Sequence, residues 1–260
     1  MTKMIFKPAI QLPNFINEPR DDGETPRKYD AIGIVGGAGP MASVLFYETL
    51  ITLCQEMYGA KKDGDFPEIM LLNYPFSPMC SITEAEFNST RLQGELASCF
   101  QSLQDWGAKT VAIACNTLHN FIEDTDWSFT FKSIVCATLN GAHKAQANKL
   151  LFLGTEVSAK KQLYEKSAID IIYPSPDAQV GVDKIISGML AGESKVKNGQ
   201  ALAKIINKLQ RRGLAFDGVI LGCTELSLLY DQLEDLYKGM VFDSNRLLAL
   251  EVLKASRGDV

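Results

Sequence analysis

Two stretches of the sequence, KTVAIACNT at residues 109–117 and DGVILGCTE at residues 217–225, decide the fold. Each stretch is a short apolar run that ends in a cysteine, and small polar or acidic residues follow that cysteine. An apolar run of this length is typical of a strand that is buried on both faces of a parallel sheet. Because the two stretches are alike, they predict two similar units, with Cys115 at one strand end and Cys223 at the other.

The remaining sequence repeats the same alternation of strands and helices. Each half opens with an apolar strand that runs into a glycine turn, AIGIVGG at residues 31–37 and KLLFLGT at residues 149–155. Helical spacing of apolar residues follows in both halves. A further strand is predicted at SIVCAT, residues 133–138, with a helix over residues 140–148. The pattern predicts an α/β fold of two pseudo-symmetric lobes, each built on a parallel sheet.

The repeat also predicts how the chain is divided. We expect residues 1–29 to form an N-terminal extension, because residues 18–28 are charged and contain proline. Residues 30–121 together with 226–260 are predicted to form the first lobe, and residues 122–225 the second. Ligands of parallel sheets bind beyond the carboxyl ends of the strands. Both cysteines stand at such an end, so we expect the active site in the cleft between the lobes.

Composition and charge exclude several classes of protein. The net charge is −5 and the isoelectric point is about 5.2, with no cluster of basic residues, so we expect no nucleic-acid partner. We find no apolar run of membrane-spanning length and no secretory signal, and we therefore expect a cytoplasmic protein without a membrane partner. The 6 cysteines are irregularly spaced, without CxxC or His/Cys clusters, which argues against disulfides and metal sites.

Two opposed thiols suit one reaction in particular. A racemase removes a proton from one face of a carbon and returns a proton to the other face, which two acid/base groups can do. The pKa of a cysteine thiol lies near enough to neutrality for thiol and thiolate to serve in turn. The carbanion must be stabilised by fixed donors. The hydroxyls and amides at these strand ends, and the amides of the Gly36–Gly39 turn, are suitable donors.

The motifs resemble the aspartate/glutamate racemase family over about residues 30–255. The matching segments are IGIVGGAGPMAS, ACNTLHNF, FLGTEVS, ILGCTEL and VFDSNRLLA. Glutamate racemases typically open with Asp-Ser-Gly-x-Gly-Gly and continue their second cysteine with Thr-His-Tyr-Pro. Here the opening is GGAGP and Cys223 precedes Thr224 and Glu225. The sequence therefore looks like the aspartate racemase branch.

The resemblance implies a site, a reaction and a partner. Cys115 and Cys223 would be the catalytic pair, with His119 and Glu225 behind the substrate-binding residues. The substrate-binding positions would be Gly39, Asn73, Asn116, Thr117, Thr155, Ser158 and Thr224. The implied function is racemisation of an acidic amino acid, aspartate or glutamate, without cofactor or metal. Family members are usually homodimers, so a homodimer is expected.

One departure leaves the substrate open. Many aspartate racemases carry Pro-Asp-Arg-Thr after the second strand, and its arginine holds the side-chain carboxylate of the substrate. The corresponding stretch here, NYPFSPMCS at residues 73–81, contains no arginine. The nearest cations are Arg91, Lys195 and Lys197. A racemase of broader specificity, a related isomerase of the same superfamily and a non-catalytic amino-acid-binding protein therefore stay as alternatives.

Overall fold

The computed structural model describes residues 28–77, 89–123, 126–165 and 167–259. The predicted N-terminal extension, residues 1–29, therefore lies outside the described residues except for its last two. Of these, Tyr29 is buried and packs edge-on against Tyr58.

The described residues form two four-stranded sheets in which every pair of neighbouring strands is parallel. The strands are β1 (Ile32–Gly36), β2 (Ile69–Asn73), β3 (Thr110–Ile113), β4 (Thr130–Lys132), β5 (Lys149–Leu153), β6 (Asp170–Ile172), β7 (Gly218–Leu221) and β8 (Met240–Asp243). Their order is β2-β1-β3-β4 in the first sheet and β6-β5-β7-β8 in the second. The predicted α/β fold with two similar parallel sheets is confirmed.

Helices connect the strands of both sheets. They are α1 (Pro40–Tyr58), α2 (Ser89–Trp106), α3 (Ile134–Lys144), α4 (Glu156–Lys160), α5 (Pro176–Leu190), α6 (Lys195–Arg211), α7 (Thr224–Ser227), α8 (Tyr230–Leu236) and α9 (Ser244–Arg257). Gly107 follows α2 with a φ of 100°, a left-handed conformation that a glycine adopts without strain. Within the described ranges, none of these helices combines the length and apolar character needed to cross a bilayer.

Alternate residues of the strands face helices on opposite sides of each sheet. In the first sheet, Val35 and Val111 pack with apolar residues of α2. Ile34 and Ala112 point the other way and pack with α1 and α9. This period of two is the expected consequence of strand geometry. Burial on both faces explains why these strands are almost continuously apolar.

One predicted strand is wrong. SIVCAT, residues 133–138, was predicted as a strand, but it forms the first part of α3. Ser133 caps this helix, because its hydroxyl accepts a hydrogen bond from the backbone N–H of Cys136. The β-branched residues Ile134 and Thr138 are one helical turn apart and both buried. Tertiary packing of this face therefore outweighs the preference of such residues for strands.

The strand pairing also differs from the predicted lobe boundaries. The predicted second lobe, residues 122–225, contains β4, yet β4 pairs with β3 in the first sheet. The predicted remainder of the first lobe, residues 226–260, contains β8, yet β8 pairs with β7 in the second sheet. In each sheet one of the two edge strands, β4 or β8, follows the cysteine-containing strand end. These two strands are three and four residues long and partly exposed, so their sequences give only a weak signal for a strand.

Buried hydrogen bonds join the two sheets near their carboxyl ends. The Tyr164 hydroxyl donates to Oδ1 of Asn116 at 2.6 Å, and Nδ2 of Asn116 donates to the Ser244 hydroxyl at 2.9 Å. Ser244 in turn donates to the carbonyl of Leu221, the last residue of β7. The Thr224 hydroxyl donates to the carbonyl of Ala114 at 3.2 Å. These contacts tie the segment after β3 directly to the segment after β7.

Removing one of these donors should weaken the junction. Tyr164 is fully buried, so Tyr164→Phe deprives Asn116 of a buried donor and should lower the free energy of unfolding by about 1–2 kcal/mol. The control is Tyr230→Phe, which removes an exposed hydrogen bond to Glu234 and should change stability by less than about 0.5 kcal/mol. Urea denaturation followed by circular dichroism measures both. Equal effects of the two substitutions would contradict the role assigned to Tyr164.

Candidate active site

A cavity of 260 Å³ lies where the carboxyl ends of the two sheets meet. Both predicted catalytic cysteines line it, together with four further residues that the sequence assigned to the site. These six are Gly39, Cys115, Thr117, Thr155, Cys223 and Glu225. A small molecule bound in this cavity is therefore placed between groups that come from both halves of the chain.

The two cysteines occupy equivalent positions in the two sheets. Cys115 follows β3 and Cys223 follows β7, and each of these strands lies next to the first strand of its own sheet. The two residues are 6% and 5% exposed, so most of each side chain is enclosed. Both still reach the cavity surface. Burial of this kind limits access of bulk water to the thiols while a ligand can still contact them.

Glu225 links the second cysteine to the glycine turn. Its Oε2 accepts a hydrogen bond from the Cys223 thiol at 3.0 Å, and its Oε1 accepts one from the backbone N–H of Gly39 at 3.0 Å. The side chain is buried. Because a carboxylate can only accept, the contact between sulfur and oxygen requires one proton shared between Cys223 and Glu225.

Gly39 has no room for a side chain. A methyl group added there would overlap the Glu225 carboxylate and come within 2.7 Å of a terminal carbon of Leu190. Gly37 has a φ of 98°, and a methyl group there would overlap the backbone of Tyr74. Helix α1 begins directly after this turn. The glycines therefore let the N-terminal end of α1, the positive end of the helix dipole, approach the cavity.

Hydroxyl groups from the two sheets meet at another wall of the cavity. The hydroxyl oxygens of Thr117 and Thr155 lie 2.9 Å apart, and each also contacts the hydroxyl of Ser158. Thr155 in addition caps α4 by accepting from the backbone N–H of Ser158. The network fixes these side chains before any ligand binds. It offers donors suited to a carboxylate.

His119 is held beside the first cysteine in a defined protonation state. The backbone N–H of Ile134 donates to its Nε2 at 3.1 Å, so the ring proton must reside on Nδ1. Nδ1 then donates to the carbonyl of Cys115 at 2.8 Å. Burial lowers the pKa of His119 to about 4, although the bond to this carbonyl acts in the opposite direction. The His119 ring is therefore neutral, and it positions the backbone of Cys115 through this hydrogen bond.

Several predicted substrate-binding residues lie elsewhere. Asn116 and Thr224 are buried in the junction between the sheets, where their side chains bind Ser244 and the Ala114 carbonyl. Ser158 lies behind the threonine hydroxyls, and Asn73 is exposed at the end of β2. Among the described residues, none of these four lines the cavity.

None of the three cations proposed from the sequence lines the cavity. Arg91 pairs with Glu95 on α2, while Lys195 and Lys197 are exposed at the start of α6. Within the described stretches, no group of three His, Cys, Asp or Glu side chains is arranged to hold a metal ion.

Gly37 and Ala38 also line the cavity, and they belong to the Gly36–Gly39 turn that the sequence indicated. Four further lining residues were not predicted: Pro40, Phe76, Ser77 and Leu190. Pro40 follows the glycine turn, and Phe76 and Ser77 follow the end of β2, in the segment where many aspartate racemases carry an arginine. Leu190 ends α5, and no feature of the sequence distinguishes it from a surface leucine.

The neutral state of His119 predicts a pH dependence of stability. The pKa is near 6.5 in the unfolded chain and about 4 in the folded one. Between these values the unfolded state binds more protons, so stability should fall as pH falls, by up to about 1.4 kcal/mol per pH unit. His119→Gln keeps a donor and an acceptor but does not titrate, and should remove this slope.

Urea denaturation at pH 7.5, 6.5 and 5.5 measures the slope for each variant. His143 is exposed, so His143→Gln should follow the wild type at every pH. A His119→Gln variant whose stability runs parallel to the wild type over this range would show that the ring is not held neutral.

Comparison with known proteins identifies the family of the chain. The family model Asp/Glu/Hydantoin racemase matches residues 35–252. The broad specificity amino-acid racemase RacX of Bacillus subtilis (strain 168) is 26% identical over 226 residues, covering 84% of this chain and 94% of that protein.

Among solved structures, an aspartate racemase of Picrophilus torridus is 25% identical with a TM-score of 0.73, covering 89% of this chain and 95% of that one. An aspartate racemase homologue of Pyrococcus horikoshii OT3, at 23% identity and a TM-score of 0.64, shares the fold over 87% of this chain and 99% of its own. The chain belongs to the Asp/Glu/hydantoin racemase family and is an amino-acid racemase.

Proposed function

We propose that the protein racemises a free α-amino acid without a cofactor, with Cys115 and Cys223 as the two acid/base groups. The observation that carries this proposal is that both thiols line one cavity, at equivalent strand ends of two similar sheets. Such an arrangement offers one sulfur to each face of an α-carbon. It supplies the two positions from which a proton must leave and arrive.

The reaction needs only proton transfers. One cysteine, as thiolate, takes the α-proton and becomes a thiol, and the other, as thiol, gives its proton to the opposite face and becomes a thiolate. The number of protons and the total charge are unchanged. Because Cys223 donates to Glu225, we assign Cys223 as the thiol and Cys115 as the thiolate for the first of the two directions. The opposite direction uses the reversed states.

The carbanion is stabilised at the carboxylate of the substrate. Proton loss spreads negative charge onto the carboxylate oxygens, and fixed donors near those oxygens lower the barrier. Thr117 and Thr155 supply hydroxyls, and the N-terminal end of α1 adds the positive end of its helix dipole. These groups are already in place, so little reorganisation is required when charge develops. We therefore place the substrate carboxylate at this wall.

Glu225 acts on the second thiol in our proposal. A carboxylate beside a thiol disfavours the thiolate, because two negative charges would face each other and the S–H hydrogen bond would be lost. Glu225 therefore keeps Cys223 protonated until it donates to the carbanion. The bond from the Gly39 N–H holds the carboxylate in this position.

Two classes of substrate are compatible with the family. The resemblance to aspartate racemases favours acidic amino acids, aspartate or glutamate. A second candidate is a broader range of amino acids, which the likeness to a broad specificity racemase supports. A homodimer stays a prediction. The exposed residues Met41, Val44 and Tyr47 on α1 offer one apolar face for such contact.

The two-thiol mechanism predicts that each cysteine is indispensable. Cys115→Ser and Cys223→Ser should each lower racemisation at least 1,000-fold, by the order typical for loss of an essential acid/base group. The control is Cys136→Ser, because Cys136 is exposed on α3 and should leave the activity unchanged. Polarimetry on a panel of L-amino acids gives the rates.

Deuterium labelling in D₂O tests the same mechanism independently. Early in the reaction, the product enantiomer should contain deuterium at the α-carbon while the recovered substrate keeps its proton, since different sulfurs face the two sides. Full activity of either cysteine variant, or early deuterium in the recovered substrate at the level of the product, would contradict two separate bases.

The role of Glu225 predicts a change in thiol reactivity. Glu225→Gln removes the negative charge next to Cys223, so the thiolate should form at lower pH and alkylation of Cys223 by iodoacetamide should move to lower pH. Peptide mass spectrometry follows Cys223 separately from Cys115. Glu193→Gln, on the exposed turn after α5, is the control. An unchanged alkylation profile in Glu225→Gln would refute the proposed charge effect.

A further inference from the structure

Four apolar residues that line the cavity have no role in the proposed mechanism: Ala38, Pro40, Phe76 and Leu190. Ala38 and Phe76 pack with the same hydrophobic cluster, and Leu190 reaches the glycine turn at Gly39, so we treat the four as one apolar wall. An α-carbon carries four groups, and only the proton and the carboxylate are assigned by the mechanism. The ammonium group and the side chain of the substrate must therefore occupy the remaining space.

The ammonium group has a matching acceptor. Among the described residues that line the cavity, Glu225 has the one ionisable carboxylate. Its two oxygens accept from Gly39 and Cys223, and a carboxylate has further acceptor sites beyond these two. With the ammonium group at Glu225 and the carboxylate at the threonine hydroxyls, the side chain is directed to the apolar wall.

Phe76 is held in this wall by a contact of its own ring and by hydrogen bonds of the next residue in the chain. Its ring packs against Tyr74 with 4.8 Å between ring centroids. The next residue, Ser77, donates to the Glu95 carboxylate from its backbone N–H at 3.0 Å and from its hydroxyl at 2.7 Å. The segment after β2 is thus anchored to α2. The ring is a prebuilt surface, and a ligand does not have to order it.

Leu190 completes the wall from the other sheet. It is the last residue of α5, and one of its terminal carbons lies 2.7 Å from the position that a methyl group on Gly39 would take. Its side chain nevertheless stays 49% exposed. An apolar side chain of the substrate would cover part of this exposed surface, which is favourable because it removes apolar area from water.

A charged side chain fits this wall poorly. A second carboxylate would lie against Phe76 and Leu190, and a charge buried against apolar groups without a partner is costly. The described residues that line the cavity include no lysine or arginine. The sequence of the segment after β2, residues 74–90, contains neither, and Arg91, which follows this segment, is already paired with Glu95.

We propose that the cavity selects an amino acid with an uncharged, apolar side chain, and that Phe76 and Leu190 form the subsite that holds it. This proposal rests on the proposed racemase mechanism and specifies its substrate class. It assigns the selection of the side chain to two residues that take no part in proton transfer.

The test compares kcat/KM of the wild type for L-leucine, L-methionine, L-aspartate, L-glutamate and L-lysine, measured by polarimetry and chiral chromatography. We expect leucine or methionine to exceed each charged amino acid at least tenfold. A preference for any charged amino acid overturns the side-chain subsite and leaves the two-thiol mechanism standing. Absence of racemisation over the whole panel overturns both.

Variants at Leu190 test the location of the subsite. Leu190→Arg should lower the ratio of kcat/KM for leucine over glutamate at least tenfold, because it places a cation in the apolar wall. Leu190→Gln adds polarity without charge and should change this ratio less than Leu190→Arg does. Val180→Arg adds the same charge to α5 at a position 70% exposed and should leave the ratio unchanged. Equal ratios in Leu190→Arg and Val180→Arg would overturn the assignment, once thermal melting shows both variants folded.

Discussion

The proposed chemistry depends on the hydrogen bonds that join the carboxyl ends of the two sheets. Thr224, directly after Cys223, donates to the carbonyl of Ala114, directly before Cys115. A buried hydrogen bond from a side chain to a backbone carbonyl therefore links the two segments that carry the thiols. Tyr164, Asn116 and Ser244 extend this junction. Two small sheets that merely packed side by side would leave the separation of the sulfurs free to vary, and opposed proton transfer requires it to be fixed.

The sequence predicted the central strands and the two cysteines that meet at one cavity because the signals for these features are local. Apolar runs ending in ACNT and GCTE indicate strand ends, and the parallel topology brings such ends together. The edge strands β4 and β8 and the helix that replaces the predicted strand at residues 133–138 were not predictable in the same way. β4 pairs over only three residues. Residues 134–138 form a helix and not a strand because α3 packs against α9, which is distant in the sequence.

Adjacency in the sequence was a poor guide to the roles of polar residues. Asn116 and Thr224 each follow a cysteine, yet their side chains turn away from the cavity and serve the junction. Glu225, two residues after Cys223, contacts the thiol itself because α7 begins there and carries its side chain back toward Gly39. Each polar side chain near a strand end can form hydrogen bonds either with a ligand or with buried polar groups of the protein. A sequence alone does not distinguish these two demands, since both select the same residue types.

The apolar wall of the cavity requires less precise placement of its side chains than the polar walls do. Acid/base groups and carboxylate donors must be placed to within a fraction of an ångström, and the chain fixes them with hydrogen bonds between its two halves. An apolar subsite needs only shape and the exclusion of charge, so single side chains such as Phe76 and Leu190 can supply it. Neither of these two residues takes part in the hydrogen bonds that join the sheets. The proposed division between chemistry and selectivity therefore allows one reaction to act on different side chains within one fold.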